Sequence, residues 1–494
     1  MTKLTAFLDT DHEVRVYVLE WLYQKPIDQQ FIVHPKSAWL VWNYFKRVGF
    51  RAVLNKIKSR LAEQERNKKI AGIGIGRVLN SSLGSARCNG KAVVFFAPNH
   101  SQFSEYLVID HKLFVELKGW GHVNGSVITE LPESLEKMVA WTRSSGLSAN
   151  FLEVQASLNE IAKHISETTV GAPVNPPEPV DRIEAPLINT SKPTAVLFGL
   201  GNYAKTAILP NIKEYLQLQR VHEIDPEQLL FLRRNESLCL DTSPRPRDGL
   251  MFDAWFIAGY HHTHAGLAID AIHQGATAVI EKPLATTRKQ YDEFLTVLKK
   301  QPQHRFYLCF RKRYSALHSF FERDLGEQQG EPIDMHCIVY EIPLPRYHWY
   351  NWPSSGSRLI SNGCHWIDYF MFINDYAEVI EYKKWTPRGS DVVAQLRLSN
   401  GAYLSMTLTD TGSQRLGVRD HIELRVRGTT FSMIDGERYV AESRSRIFRK
   451  ARVNPLNAYA RMYRTISQNI ARGNGSDSLR SLRSTDATLL LEEL

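Results

Sequence analysis

A chain of 494 residues is too long for one ordinary hydrophobic core and predicts two or three domains. Its 43% hydrophobic and 23% charged residues are those of a soluble globular protein. The lack of any run of about 18 apolar residues excludes a membrane-spanning helix. The net charge of +9 favours anionic partners, without a recognised nucleic-acid-binding motif beside it.

The opening stretch, MTKLTAFLDTDHEVR, is interrupted by charge too early for a signal core. The five cysteines (Cys88, Cys239, Cys309, Cys337, Cys364) are scattered and form no C-x-x-C pair. That pattern predicts reduced thiols in the cytoplasm and no structural zinc site. From Pro35 to Leu61 apolar residues recur at helical spacing among lysines and arginines, which predicts one or two amphipathic helices. Between Ile70 and Leu117 the character changes to short glycine-punctuated runs (IAGIGIGRVL, KAVVFFAPN, EYLVIDHKLFVEL), the pattern of a small β domain. Leu131 to Ser166 is again helical. Five prolines between Pro173 and Pro186 then mark a linker, since such a stretch sustains neither a helix nor a central strand.

Beyond the linker, Ala195–Phe198 is an apolar run suited to a strand buried on both faces. Gly199, Gly201 and Ala204 follow as G-x-G-x-x-A, and Ala207, Ile208 and Ile212 continue as a helix. The first glycine permits a tight turn, the second lets the backbone approach a pyrophosphate, and Ala204 allows close helix–strand packing. Val221–Ile224 reads as the next strand. It ends at Asp225, about 20 residues on, where a ribose-binding acid is expected; alternatively Asp225 caps a helix begun by Pro226 and Glu227. Strands over Asp253–Gly259, Thr277–Ile280 and Phe306–Phe310 then alternate with helices over Ala265–His273 and Thr286–Lys300, as a parallel sheet requires. From Ile333 strands dominate (MHCIVYEI, VVAQLRL, YLSMTLT, IELRVRG), predicting an open antiparallel sheet.

Two patches suit chemistry. Lys282 stands just past a buried parallel strand, at the sheet edge where α/β ligands bind, with Glu281 before it and Pro283 fixing the backbone after it. A lysine there hydrogen-bonds a substrate hydroxyl and helps remove its proton during hydride transfer; a surface lysine is the plain alternative. His365 opens a helix after the small turn Ser354–Ser357 and suits general acid/base work, against the alternative of a buried structural histidine. Asp368 shares its helix face and either orients it or pairs with an arginine. Tyr260, His261, His262, Thr263 and His264 invite a metal reading, but the spacing and the lack of a local carboxylate favour cofactor contact. Arg444, Arg446, Arg449, Lys450, Arg452, Arg461 and Arg464 concentrate positive charge near the C-terminus, as a solvated basic face or an anion-attracting one.

With GLGNYA, EKPLATT and GCHWID in place, residues 190 to about 494 resemble the Gfo/Idh/MocA (glucose–fructose oxidoreductase/inositol dehydrogenase) family. The resemblance implies a Rossmann domain and an α/β domain whose open sheet mediates oligomers, here a homo-oligomer. It also implies NAD(P)-dependent oxidation or reduction of sugars, cyclitols or nucleotide-sugars. Lys282 and His365 fall on the catalytic lysine and histidine. Cofactor contacts fall on Gly199, Gly201, Asn202, Tyr203, Ala204, Asp225, Tyr260, His261, His264, Glu281 and Lys282, and substrate contacts on Trp349, Arg358 and Asn362. NAD is favoured because Asp225 would repel a 2′-phosphate, with NADP the alternative through Arg233 and Arg234.

The position of an aspartate common in the family is Ser361, and SGSRLISNGCHWID looks like a subgroup joined to a zinc-alcohol-dehydrogenase-like half and associated with surface polysaccharide synthesis. Residues 34–61 and 71–117 resemble the entry to a GroES-like domain and its β fold, without the metal motif. The expected layout is therefore a degenerate GroES-like domain with N-terminal helices over 1–130, a helical segment and linker over 131–190, a Rossmann domain over 191–312, and a substrate and oligomerisation domain over 313–494. The expected function is a sugar or nucleotide-sugar oxidoreductase without a metal, the alternative a degenerate cofactor- or partner-binding protein.

Overall fold

The computed structural model describes residues 13–26, 69–81, 90–101, 106–110, 113–117, 151–168, 191–224, 226–232, 238–241, 251–301, 303, 305–343, 350, 353–387, 391–411, 418–444 and 446–494. The helices expected over Pro35–Leu61, and Asp225, Arg233, Arg234 and Trp349, lie outside them. Among the described residues no helix is long and apolar enough to cross a membrane.

Strands β1 (Glu13–Pro26), β2 (Lys69–Ser81), β3 (Ala92–Ser101), β4 (Tyr106–Asp110) and β5 (Phe114–Glu116) form an antiparallel sheet in the order β4-β1-β2-β3-β5. The last four fall in the stretch that reads as a β domain. The first was not expected. Its register slips between Val18 and Glu20 and again between Trp21 and Tyr23, so no sustained alternation marks it in the sequence. Helix α1 (Phe151–Thr168) lays Leu158, Ile161, Ala162 and Ile165 on Leu22, Ile73, Ile75 and Phe96 of this sheet. The helix thus shares the sheet's core.

The second sheet is fully parallel. Strands β6 (Thr194–Phe198), β7 (Gln217–His222), β8 (Cys239–Asp241), β9 (Ala254–Ile257), β10 (Thr277–Glu281) and β11 (Phe306–Cys309) lie in the order β11-β10-β9-β6-β7-β8. The chain reverses direction across the sheet between β6 and β9, which is where a ligand crevice opens at the carboxyl edge. Helices α4 (His264–His273) and α5 (Arg288–Lys300) cover one face, numbered after the short α2 (Leu209–Ile212) and α3 (Pro226–Leu229). Thr287 caps α5 by accepting from the Gln290 N–H.

One correction concerns β7. The sequence predicts a strand over Val221–Ile224, whereas the strand begins at Gln217 and ends at His222. Its second half carries buried polar groups that hide it: Arg220 pairs with Asp241 at 3.2 Å, and the His222 ring stacks on Phe198 at 4.7 Å. The acid just past the strand is therefore Glu223.

The third sheet has eight strands: β12 (Asp334–Tyr340), β13 (Val379–Trp385), β14 (Val392–Leu398), β15 (Tyr403–Thr409), β16 (Arg419–Val426), β17 (Thr429–Ile434), β18 (Arg438–Ser443) and β19 (Arg446–Arg452), in the order β13-β14-β15-β12-β16-β17-β18-β19. All pairs are antiparallel except β12 with β15. Alternation sends Met335, Cys337, Leu404, Met406, Ile422 and Phe431 inward, against Leu317 and Phe321 of α6 (Ala316–Leu325) and Trp366 and Phe370 of α7 (Cys364–Ile373). The opposite face carries His336, Ile338 and Arg425.

The last helices return to the parallel sheet. Met462, Tyr463 and Ile466 of α8 (Asn457–Ala471) are fully buried on its second face, each contributing about 2 kcal/mol of apolar burial. Leu482, and Leu489 of α9 (Arg483–Glu492), join the core under α4 and α5. The basic C-terminal stretch is partly consumed in pairs: Arg449 reaches Asp324 at 2.7 Å, and Arg452 pairs with Glu437.

Gly199 has φ +91°, and a Cβ there would lie 2.4 Å from the Ala258 carbonyl oxygen. Gly199→Ala is expected to cost about 3 kcal/mol, from left-handed strain plus overpacking, read as a lowered denaturant midpoint at unchanged m-value.

Candidate active site

The Gly199 turn brings the end of β6 against the end of β9, so the two loops leave the sheet edge side by side at its reversal point. Gly201 is different. A Cβ on it would meet nothing within 4 Å, so its backbone borders open space beside the turn. Ala204 is buried at the start of the π turn Ala204–Ile208, which runs into α2. Asn202 is exposed at the helix entry, and its carbonyl accepts from the Thr206 hydroxyl at 2.7 Å. Across the turn, the Glu223 carboxylate accepts the Leu200 N–H at 2.6 Å. Glu223 is thus the first acid past β7 and sits beside the glycine turn, whereas Asp225 lies outside the described residues.

Other expected cofactor residues turn inward. Tyr203 donates to Glu281 at 2.9 Å and lies 3.1 Å from the Tyr463 hydroxyl, which also bonds Glu281. Alternation along β10 explains this: Val279 and Glu281 face α8, and the strand direction carries Lys282 past the edge. Burial pushes the Glu281 carboxyl up, against the two phenols that draw it down. The ring nitrogens of His264 lie 2.7 Å from the Pro283 carbonyl and 3.1 Å from the Gly259 carbonyl. His264 therefore ties the loop after β10 to the loop after β9, which positions Lys282 without presenting a ring nitrogen to the crevice. Tyr260 precedes this turn and stacks at 6.0 Å on His262.

Lys282 reaches across to the other domain. Its Nζ donates to the Ser361 carbonyl at 2.7 Å and lies 3.5 Å from the Tyr350 hydroxyl. The His261 ring packs 4.7 Å from Tyr350, with Nδ1 3.1 Å from the Ser355 carbonyl. Ser354 and Ser355 are buried, so the small turn that they begin is a packed support. Burial works against the Lys282 ammonium, but Tyr350, Cys364 and Glu281 outweigh it, and its pKa stands above the ordinary value. Lys282 is thus a resident cation and hydrogen-bond donor.

His365 has the opposite character. Burial first, then the cations Lys282, Arg311 and Lys312, hold its pKa well below the usual value, so the imidazole is neutral at physiological pH. Its Nδ1 is buried without a hydrogen-bond partner. Asp368 does not orient it: that carboxylate accepts from Arg313 Nε at 2.9 Å, the arginine-pairing alternative. Lys282 is near enough to His365 to depress its pKa, so a cationic donor and a neutral acceptor from two domains lie in one region of the fold.

The expected substrate contacts Arg358 and Asn362 surround Glu341, which the sequence reading overlooked. Arg358 bonds Glu341 at 2.9 Å and Asp410 at 2.6 Å, and Asn362 donates to Glu341. Nη1 of Arg358 is buried without a partner, leaving its two N–H donors uncommitted. Among the described residues, no group of three or more His, Cys, Asp or Glu side chains is placed to hold a metal ion.

No protein-family model and no curated protein sequence matches the chain. Solved structures do. A dehydrogenase from Chromobacterium violaceum superposes over 61% of this chain and 95% of its own, at 14% identity and TM-score 0.52. Over that 61% the chain has the fold of this dehydrogenase. An oxidoreductase from Agrobacterium radiobacter, solved with NAD+, L-tartaric acid and magnesium, matches over 61% of this chain and 96% of its own, at 13% identity and TM-score 0.51. A UDP-N-acetylglucosamine 3-dehydrogenase from Acidithiobacillus ferrooxidans matches over 61% and 97%, at 17% identity and TM-score 0.50.

Around the site, burial lowers the pKa of His261 and His365 well below normal and pushes His262 down to about 3. The unfolded chain takes up these protons near pH 6.5 while the folded chain does not. Stability is therefore expected to fall as pH drops below about 6.5, by up to about 1.4 kcal/mol per pH unit per histidine. Urea midpoints at pH 7.5 and 5.5 check this; His262→Leu should shrink the difference between them.

Proposed function

We propose that the protein is a nicotinamide-dependent oxidoreductase that acts on a hydroxyl or keto carbon of a sugar, cyclitol or nucleotide-sugar. What supports this reading is that cationic Lys282, just past the carboxyl end of β10, lies near enough to neutral His365 on α7 to depress its pKa. The residues present fit a dinucleotide. Gly201 leaves backbone bare beside the β6 turn, the crevice lies at the reversal point, and Glu223 follows β7 where a ribose is read. A carboxylate there favours NAD over NADP by repelling a 2′-phosphate.

When bound, the nicotinamide accepts or gives the hydride. The protein handles the proton. His365 Nδ1 takes it from the hydroxyl as that carbon is oxidised, and returns it to the oxygen in reduction. The Lys282 ammonium donates a hydrogen bond to the same oxygen, steadying negative charge as it develops. Lys282 thus acts as a donor, and the proton-acceptor role passes to His365. Arg358 and Asn362 line the substrate side. The neighbours solved with NAD+ and described as a UDP-N-acetylglucosamine 3-dehydrogenase support the cofactor and the sugar class. Self-association through the open face of the eight-stranded sheet, with Ile338 half exposed, belongs to the same reading.

A non-catalytic, partner-binding role is the second reading. Its motivation is the Ser361 carbonyl, which holds Lys282 in the position where the resemblance expects a carboxylate.

The two readings separate in one set of measurements. NADH is expected to bind with enhanced fluorescence. Gly201→Ala should weaken that binding at least tenfold without moving the unfolding midpoint, because the added methyl meets only open space. Lys282→Met should keep NADH binding and lose about 100-fold or more in turnover on a sugar or nucleotide-sugar found by screening. Absence of NADH binding to the native protein would favour the partner role.

A further inference from the structure

A second cavity lies one helical turn along α7 from His365. It measures about 240 Å³ and is enclosed by the turn Arg311–Tyr314, the inner face of β16 and β17, and the start of α8. Its polar lining includes Arg311, Lys312, Asp420, Asn454 and Asn457, with Ile422, Met433 and Pro455 as apolar wall.

Three consecutive cations leave the end of β11, and they meet different fates. Lys312 pairs with Asp420, which also accepts from Trp366 Nε1 at 2.9 Å. Arg313 is held by Asp368 and Asp477. Arg311 has no carboxylate within salt-bridge distance among the described residues. Its guanidinium lies over the Tyr459 ring, 5.0 Å from the centroid, and a Cβ added at Gly436 would come within 3.8 Å of Nη1. Stacking holds the plane of the fork but satisfies none of its five donors. The lining therefore carries one uncompensated positive charge, since the Lys312–Asp420 pair cancels. Arginine cannot shed that charge, and a partly buried guanidinium without a carboxylate partner gains by pairing with an anion. The planar fork facing polar space is the geometry that receives a carboxylate or phosphate bidentately.

We propose that this cavity is a binding site for a small carboxylate- or phosphate-bearing molecule, received by Arg311. Asn457 supplies a neutral amide at the rim, and the apolar wall suits the carbon skeleton of a small organic acid better than a bare ion. The anionic group has two sources, a free metabolite or one end of the molecule turned over beside His365. The inference itself does not depend on the redox reading.

Its test is a calorimetric titration of the full-length protein with inorganic phosphate and, separately, with glucuronate, at constant ionic strength set by chloride. Saturable binding of either is expected, weakened at least tenfold in Arg311→Gln. Asn457→Asp places a carboxylate at the rim and should weaken binding likewise; it keeps the question open to refutation if Arg311→Gln does not fold. No saturable binding of either anion to the native protein, or undiminished binding to the folded variants, would overturn the proposal. Glucuronate binding that strengthens when NADH is present points to a substrate's own carboxylate, and binding indifferent to NADH to a free metabolite.

Discussion

The guanidinium of Arg313 holds the two domains of the site in register. It leaves the end of the parallel sheet, grips Asp368 on the helix that carries His365, and reaches Asp477 at 3.0 Å. Asp477 in turn accepts the Leu308 N–H of β11 at 2.8 Å. The arginine and Asp368 are almost wholly removed from solvent, so neither can be lost without leaving an unpaired interior charge, a loss of about 3–5 kcal/mol. Everything proposed for the site rests on this clamp, because it decides where α7 stands relative to Lys282.

Around that clamp the protein sets opposite protonation states side by side. Acidic and phenolic neighbours keep Lys282 charged, and burial beside cations keeps His365 neutral. Each state reinforces the other: a charged lysine depresses the imidazole, and a neutral imidazole does not oppose the lysine. This is a division of labour between donor and acceptor made with two ordinary side chains and their surroundings.

Much of this arrangement is legible in the sequence. The parallel sheet announces itself through short apolar strands, glycine turns and alternating helices, and the third sheet through its regular alternation. Lys282 and His365 are found because chemistry sits at strand ends and helix starts. What the sequence hides is long-range pairing. Arg220 and His222 are polar residues in a buried strand, made tolerable by Asp241 and Phe198, and they shift the apparent end of β7 from His222 to Ile224. That shift hides Glu223 as the first acid past the strand. Tyr203, Glu281 and His264 look like cofactor contacts by position, yet their side chains are bound to partners as far away as Tyr463, 260 residues beyond Tyr203. Glu341 and Arg311 carry no local pattern; only the folded chain shows that one is wrapped by Arg358 and Asn362 and that the other has no carboxylate partner among the described residues.

Helix α8 has a consequence for how the chain reaches this state. Residues 457–471 form the cover on one face of a sheet whose first strand begins at Thr194. During synthesis that face stays partly uncovered until residues 457–471 have been made, long after Thr194. The parallel sheet is therefore completed only after every strand of the eight-stranded sheet has been made, which couples the folding of the two.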